Sequence, residues 1–125
     1  MLDHVMIGVT DLVRSKAFYD QALKPLGIER FASDSSDFAG YGTDKKGFLW
    51  VARGDAVPVG VHIAFAAPNR SIVDAFHAAA IAAGGRDHGA PGLRPQYHPA
   101  YYGAFVLDPD GHNIEAVCHA PVEGA

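Results

Sequence analysis

Branched apolar side chains recur at every second residue near the start of the chain, which predicts a β-strand. Within residues 2–9, valine or isoleucine at positions 5, 7 and 9 alternates with His4, Met6 and Gly8. This period of two is typical of a strand with two different faces. A helix is predicted next, because Thr10 or Asp11 can cap it and an apolar stripe with helical spacing runs on until a proline and a glycine at positions 25 and 27. The stripe consists of Leu12, Val13, Ala17, Phe18, Ala22 and Leu23.

The same order of a strand and then a helix recurs in the second half of the chain. Residues 61–66 predict a strand, and a second apolar stripe with helical spacing follows until Gly84 and Gly85. A single offset of 58 residues aligns the two segments, which indicates an internal repeat. The offset pairs His4 with His62, Asp11 with Asn69, Phe18 with Phe76, and Gly27 with Gly85.

After each helix the pattern predicts three short strands separated by turn residues. They lie at 28–31, 38–42 and 48–53 in the first half, and at 86–88, 101–107 and 112–118 in the second. A loop rich in glycine and proline is predicted over 89–99, and the Asp108-Pro109-Asp110-Gly111 segment predicts a hairpin turn. The fold class is therefore α+β, with two tandem β-α-β-β-β modules at residues 1–54 and 59–119 of a single domain, 1–125. Residues 54–58 are the predicted linker.

Composition narrows the classes of function. The 125 residues are 49% hydrophobic and carry a net charge of −4 without a cluster of lysine or arginine, so nucleic-acid binding is not expected. No apolar run approaches the roughly 18 residues of a membrane helix. The N-terminus lacks a secretory pattern, and the single Cys118 cannot form an internal disulfide. We therefore expect a soluble protein of the reducing cytoplasm.

Three polar residues on predicted strands form a candidate metal site. His4 and His62 occupy equivalent positions of the repeat and share their strand faces with small or flexible residues, so both are expected to point away from the helix. Glu115 lies in a mostly apolar strand, where a carboxylate needs a partner or a metal. Two histidines and one carboxylate on three strands make a facial triad suited to Fe(II), Mn(II), Ni(II), Co(II) or Zn(II).

The long loop and the strand after it supply weaker catalytic candidates. Arg94 is able to pair with an anionic group, and His98, Tyr101 or Tyr102 to transfer a proton. Neighbours in a strand face opposite sides, so only one of the two tyrosines is expected to face the site. The alternative is that these are surface residues of a loop held by its aromatic side chains.

These motifs together resemble the vicinal oxygen chelate superfamily, which includes glyoxalase I, fosfomycin-resistance thiol transferases, extradiol dioxygenases and bleomycin-binding proteins. The resemblance covers almost the whole chain. It is carried by Leu2-Asp3-His4-Val5, Ser15-Lys16-Ala17-Phe18-Tyr19, Gly60-Val61-His62-Ile63-Ala64-Phe65, and Asp108-Pro109-Asp110-Gly111-His112-Asn113-Ile114-Glu115.

The resemblance implies a cupped mixed sheet built from two modules, with a divalent metal held at the positions of His4, His62 and Glu115. It also implies a homodimer in which His4 of one chain meets His62 and Glu115 of the other. Glyoxalase I has a fourth ligand, a glutamate that also acts as a base, on the last strand of its first module. The matching stretch here, residues 48–53, contains no carboxylate, so glyoxalase I activity itself is not expected.

Two hypotheses of function remain at this point. The first is a metal-dependent lyase, transferase or dioxygenase that binds a small oxygen-rich molecule through two neighbouring oxygens. The second is a non-catalytic dimer that binds an antibiotic or metabolite, and it is favoured by the aromatic set Phe48, Trp50, Tyr97, Tyr101 and Tyr102. The sequence leaves the substrate, the type of reaction and the identity of the metal open.

Overall fold

The first module is a four-stranded sheet with one main helix. The computed structural model describes residues 2–31, 36–44, 46–54 and 60–121. The elements of this module are β1 (Val5–Val9), α1 (Leu12–Ala22), a short 3-10 helix (Lys24–Leu26), β2 (Glu29–Arg30), β3 (Phe38–Thr43) and β4 (Lys46–Arg53). The strands run in the order β1-β4-β3-β2. β1 is parallel to β4, and the other neighbours are antiparallel.

The second module repeats this topology. Its elements are β5 (His62–Ala66), α2 (Arg70–Ala82), β6 (Arg86–Leu93), β7 (Tyr102–Leu107) and β8 (Asn113–Cys118). The sheet has the order β5-β8-β7-β6, again with one parallel pair, β5 and β8. The prediction of an α+β fold made of two tandem β-α-β-β-β modules is confirmed.

The two helices begin at equivalent caps. The Asp11 side chain accepts the backbone N–H of Arg14 at 3.1 Å, and the Asn69 side chain accepts that of Ile72 at 2.9 Å. Each cap satisfies a backbone donor that the first turn of a helix leaves without a partner. The repeat inferred from the sequence is thus present in the local hydrogen bonding.

Gly27 and Gly85, which the repeat aligns, have different structural roles in the two modules. Gly27 has a left-handed backbone with φ of 75°, whereas the left-handed residue after α2 is Gly84, with φ of 99°. A Cβ on Gly85 would lie 2.4 Å from a methyl of Val106 and 2.7 Å from the ring of Phe18. Gly85 is therefore needed for close packing between the modules rather than for a turn.

The core lies on one face of each sheet and joins the two modules. In β1 the side chains of Ile7 and Val9 are buried while Met6 is 62% exposed, and in β5 Phe65 is buried between exposed residues. Phe18 from α1 and Phe76 from α2 are both fully buried in the same apolar cluster. Each sheet therefore has a second face that neither α1 nor α2 covers, and this is the face of His4 and His62.

A turn of the second module is hydrogen-bonded to two side chains of the first module. The hydroxyl of Tyr19 donates to the buried carboxylate of Asp108 at 2.6 Å, and the hydroxyl of Thr10 donates to Asp110 at 2.6 Å. The Asp108–Gly111 segment does form the predicted turn, closed by a hydrogen bond from the Gly111 N–H to the Asp108 carbonyl. It also joins the two modules, which its local pattern did not indicate.

The predicted loop over 89–99 is partly strand. β6 continues to Leu93, with irregular pairing to β7 around Gly89. Proline has no N–H to donate to a neighbouring strand. Pro91 is tolerated because β6 lies at the edge of its sheet, where one side of the strand has no neighbour. The linker at 54–58 falls mostly outside the described residues. No helix in the described ranges is long and apolar enough to cross a membrane.

Candidate functional site

A buried carboxylate on β8 forms the centre of the candidate site. Glu115 is only 1% exposed, and its Oε1 lies 2.7 Å from Nε2 of His62. Its other oxygen accepts a hydrogen bond from the hydroxyl of Tyr101. Burying an ionised carboxylate is costly without such partners, so the three residues stabilise one another. We call His62, Tyr101 and Glu115 the polar trio.

The register of two parallel strands places His62 beside Glu115. β5 and β8 pair His62 with Asn113 and Ala64 with Glu115, so His62 and Glu115 are diagonal neighbours on one face. The alternation of side chains in a strand puts both on the face away from α2. The small side chain of Ala64 leaves room between them.

Tyr101 and its neighbour Tyr102 point in opposite directions. The hydroxyl of Tyr102 donates to Asp74 of α2 at 2.6 Å, on the helix side of the sheet. Partial burial, and then the hydrogen bond to Glu115, raise the pKa of Tyr101 well above its usual range. Tyr101 therefore stays protonated at neutral pH and is a hydrogen-bond donor in the site.

The polar trio lines an open cavity of about 340 Å³. Its wall is completed by two aromatic rings, those of Tyr97 and Phe105. The rings of Tyr97 and Tyr101 meet edge to face, with centroids 4.9 Å apart. The cavity thus combines one imidazole and one carboxylate with aromatic rings, which suits a small organic molecule with polar atoms on one side.

His4, the third predicted metal ligand, lies in a different cavity. That cavity, of about 230 Å³, is lined by His4 and Asp3, by β4 residues that include Phe48, and by β5 residues that include Ala64. No group of three or more histidine, cysteine, aspartate or glutamate side chains that could hold a metal is found among the described residues. One chain by itself therefore brings together two of the three predicted ligands.

Asp3 is the hydrogen-bond partner of His4. Its Oδ1 lies 2.8 Å from Nδ1 of His4, and its Oδ2 lies 3.5 Å from Nζ of Lys46. The hydrogen bond with His4, followed by the charge of Lys46, lowers the pKa of the Asp3 carboxyl. Asp3 is part of the first sequence motif, whose pattern does not indicate this contact.

Arg94 lies behind the aromatic wall of the cavity. Its guanidinium donates to the carbonyls of Gly92 and Ala90 at 2.9 and 2.8 Å, and its Cζ lies 5.4 Å from the centroid of Phe105. The side chain thus fastens the end of β6 and brings a positive charge close to the site. It does not line the cavity.

His98 contacts another histidine rather than the polar trio. Its Nδ1 accepts the N–H of Ala100 at 3.0 Å, and its Nε2 lies 2.6 Å from Nδ1 of His119. Both imidazole rings pack against Tyr101, with centroids 5.5 and 5.2 Å from it. His98 therefore helps to fix Tyr101 and makes no direct contact with Glu115.

His112 is a buried polar residue whose role the sequence did not indicate. Its Nδ1 accepts the N–H of Val61 at 3.0 Å, so its Nε2 carries the proton and donates to the Gly8 carbonyl at 2.7 Å. These contacts tie the beginning of β8 both to the residue before His62 and to β1. Its place between a turn and a core strand is the one local signal in the sequence. That signal does not identify its partners, which are 51 and 104 residues away in the chain.

The profile of the Glyoxalase/Bleomycin resistance protein/Dioxygenase superfamily matches residues 1–116. The chain belongs to this superfamily. A solved glyoxalase/bleomycin resistance protein from Albidiferax ferrireducens is 35% identical, with a TM-score of 0.81, and the match covers 94% of this chain and 98% of that one. A search of curated proteins found no match.

Two further solved proteins share the fold at lower identity. A glyoxalase/bleomycin resistance protein/dioxygenase family enzyme from Burkholderia phytofirmans is 24% identical with a TM-score of 0.73, and the match covers 94% of this chain and 98% of that one. A lactoylglutathione lyase from Agrobacterium tumefaciens is 17% identical with a TM-score of 0.68, covering 94% and 92%. This superfamily contains enzymes, and the resemblance inferred from the sequence motifs is confirmed.

Proposed function

We propose that this chain is a glyoxalase-like, metal-dependent enzyme that acts on a small oxygen-rich molecule. The observation that supports the proposal best is the 2.7 Å approach of His62 Nε2 to the buried Glu115 carboxylate in the wall of a cavity. The reaction is of the lyase, transferase or dioxygenase type. Because β4 carries no carboxylate, a reaction that needs a fourth glutamate ligand is not part of the proposal.

The residues present fit a divalent transition metal. An imidazole nitrogen and a carboxylate oxygen are the donors preferred by Fe(II), Mn(II), Ni(II), Co(II) and Zn(II). Glu115 has its two oxygens directed at His62 and Tyr101, so one oxygen can ligate while the other stays hydrogen-bonded. His62 is 53% exposed at its side chain, which leaves its ring accessible from the cavity.

In this proposal a second copy of the chain supplies the third ligand, His4. The side chain of His4 is 54% exposed on the uncovered face of the first module. The same face exposes Met6, which pairs with Trp50, and the ring of Trp50 packs against Phe38. Exposed apolar surface of this kind favours burial against another protein surface, and a homodimer would cover it and bring His4 to the polar trio.

The residues of the chain have distinct roles in the proposed reaction. A divalent cation held by His62, Glu115 and His4 would act as a Lewis acid that stabilises negative charge on a substrate oxygen. Tyr101 keeps its proton and donates a hydrogen bond to Glu115, which keeps the carboxylate in one orientation. Tyr97 and Phe105 cover the apolar side of the substrate, and the nearby charge of Arg94 attracts anionic substrates.

Metal analysis of the purified chain, prepared without added metal or chelator, tests the proposal. We expect one metal atom per chain, lost in His62→Ala and kept in the control His77→Ala, whose histidine pairs with Asp87 outside the site. Mixing His4→Ala chains with Glu115→Ala chains should restore some sites in heterodimers. Absence of metal in the unaltered protein would contradict the proposed function.

A second candidate, a non-catalytic binding protein, is supported by a different observation. The polar trio is hydrogen-bonded within itself, so it is stable without a cation, and aromatic rings form much of the cavity wall. Such a protein would bind its ligand equally well before and after chelation and would leave the ligand unchanged. Loss of binding on chelation would favour the enzyme.

A further inference from the structure

The contact between Asp3 and His4 determines which nitrogen of the histidine is free. An ionised carboxylate only accepts hydrogen bonds, so the 2.8 Å contact between Asp3 Oδ1 and His4 Nδ1 requires a proton on Nδ1. In a neutral imidazole the other nitrogen then carries the lone pair. Nε2 of His4 is therefore the nitrogen available as a donor to a metal.

We propose that Asp3 is a positioning residue that holds His4 in the Nδ1–H tautomer, with Nε2 presented to the metal site. The ligand part of this proposal rests on the proposed function, whereas the tautomer is a property of the metal-free chain. Metal-binding histidines generally donate their second ring N–H to a carboxylate or carbonyl, which fixes the tautomer and makes the ligating nitrogen more basic. Asp3 is placed to do this for His4.

Lys46 holds Asp3 from the other side. Its Nζ lies 3.5 Å from Asp3 Oδ2, so the two oxygens of the carboxylate face different partners. Lys46 is the first residue of β4, the strand that pairs with β1. The carboxylate is thus connected to the sheet as well as to its neighbour in the chain. An exposed ion pair of this kind contributes little stability, and its role here is orientation.

The repeat provides an internal comparison. The residue equivalent to Asp3 in the second module is Val61, whose side chain cannot accept a hydrogen bond. His62 is instead oriented through Nε2, which lies against Glu115. By the same rule Nε2 of His62 carries the proton that Glu115 accepts in the metal-free chain, and a metal that binds there would replace this proton. In the first module, by contrast, the neighbouring carboxylate contacts Nδ1 and leaves Nε2 unprotonated. Asp3 is thus the carboxylate partner of His4, as Glu115 is of His62, but it contacts the opposite ring nitrogen.

The experiment uses the full-length protein and three variants. Asp3→Ala removes the acceptor, and Asp3→Glu keeps a carboxylate for rescue. Asp87→Ala is the matched control, because Asp87 accepts from His77 at 3.0 Å in an exposed pair that is unrelated to the site. Nitrogen-15 NMR of the metal-free chains at pH 8 reports the His4 tautomer, and calorimetry with Zn²⁺ alone reports the affinity.

We expect the Nδ1–H tautomer of His4 in the unaltered protein and in Asp87→Ala, and its loss in Asp3→Ala. Zn²⁺ affinity should fall roughly tenfold in Asp3→Ala, at the low end for loss of an outer-shell partner, and recover in Asp3→Glu. An Nε2–H tautomer in the unaltered protein, or unchanged affinity in Asp3→Ala, would overturn the role of Asp3 while leaving the proposed metal site intact. Failure of the unaltered protein to bind Zn²⁺ would overturn the proposed function and, with it, the ligand role of His4.

Discussion

The hydroxyl of Tyr19 lies 2.6 Å from a carboxylate oxygen of Asp108, and this hydrogen bond joins the helix of one module to a turn of the other. Both side chains are buried. Asp108 also accepts the backbone N–H groups of Asp110 and His112 at 2.9 and 2.8 Å. One carboxylate therefore shapes the turn before β8 and fixes α1 against it.

Removing this hydroxyl should destabilise the fold without altering the site directly. Tyr19→Phe leaves the buried Asp108 without one donor, so we expect the free energy of unfolding to fall by about 1–3 kcal/mol. Tyr102→Phe is the control, because its hydrogen bond to Asp74 is exposed, and it should cost less than about 1 kcal/mol. Urea denaturation of both variants measures the difference. Equal losses of unfolding free energy in the two variants would show that the buried hydrogen bond of Tyr19 contributes no more than the exposed one of Tyr102.

Alkaline conditions should destabilise the protein through its buried tyrosines. Burial, and then the charge of Asp108, raise the pKa of Tyr19 well above its usual range, and burial followed by the hydrogen bond to Asp20 raises that of Tyr41. Tyrosine in the unfolded chain ionises near pH 10. The stabilisation is therefore complete below pH 10 and is lost as the pH rises above it, by about 1.4 kcal/mol per pH unit for each tyrosine.

Denaturation at pH 9, 10 and 11 checks this prediction. Tyr19→Phe should show a shallower loss of stability between pH 10 and 11 than the unaltered protein, because one buried tyrosine no longer contributes to the slope. Identical slopes would contradict it.

Gly40 is required under the ring of Trp50. A Cβ at position 40 would lie 2.5 Å from an atom of this indole, so the ring must move in Gly40→Ala. We expect a loss of about 1–3 kcal/mol in unfolding free energy, as for other overpacking changes, together with a change in the fluorescence of the single tryptophan. Gly54→Ala, where a Cβ meets nothing within 4 Å, should change neither.

Metal binding should raise the stability of the folded state if the proposed site is correct. Zn²⁺ at 100 times its dissociation constant should add about 2.7 kcal/mol to the free energy of unfolding, and His62→Ala should show no such gain. Thermal unfolding with and without Zn²⁺ measures this. An equal gain in the variant would place the metal elsewhere.

The alternation of side chains allowed much of the fold to be predicted from the sequence. The faces of β1 and β5 follow directly from their period of two, and the caps Asp11 and Asn69 follow from the repeat. These features depend on residues close together in the chain. The end of β6 was missed because glycine and proline disfavour a strand, yet an edge strand tolerates both.

The polar trio could be predicted only in part. Glu115 needed a partner because a carboxylate in a core strand is costly, and His62 followed from the repeat. The hydrogen bond from Tyr101 depends on how the end of the loop packs against β8, which no local pattern reports. Asp3 was missed because its role lies in the tautomer of His4, which is visible only once the two side chains are seen together.

Two of the four sheet edges, those formed by β2 and β6, limit how copies of this chain can associate. β2 is only two residues long, and β6 contains Pro91 and irregular pairing with β7. Short or interrupted edge strands offer few free N–H and C=O groups to another chain. Addition of a strand at these edges, the usual start of fibrillar aggregation, is therefore disfavoured. Association through the uncovered faces is not restricted in this way, so a closed dimer is compatible with edges at β2 and β6 that hinder the addition of further strands.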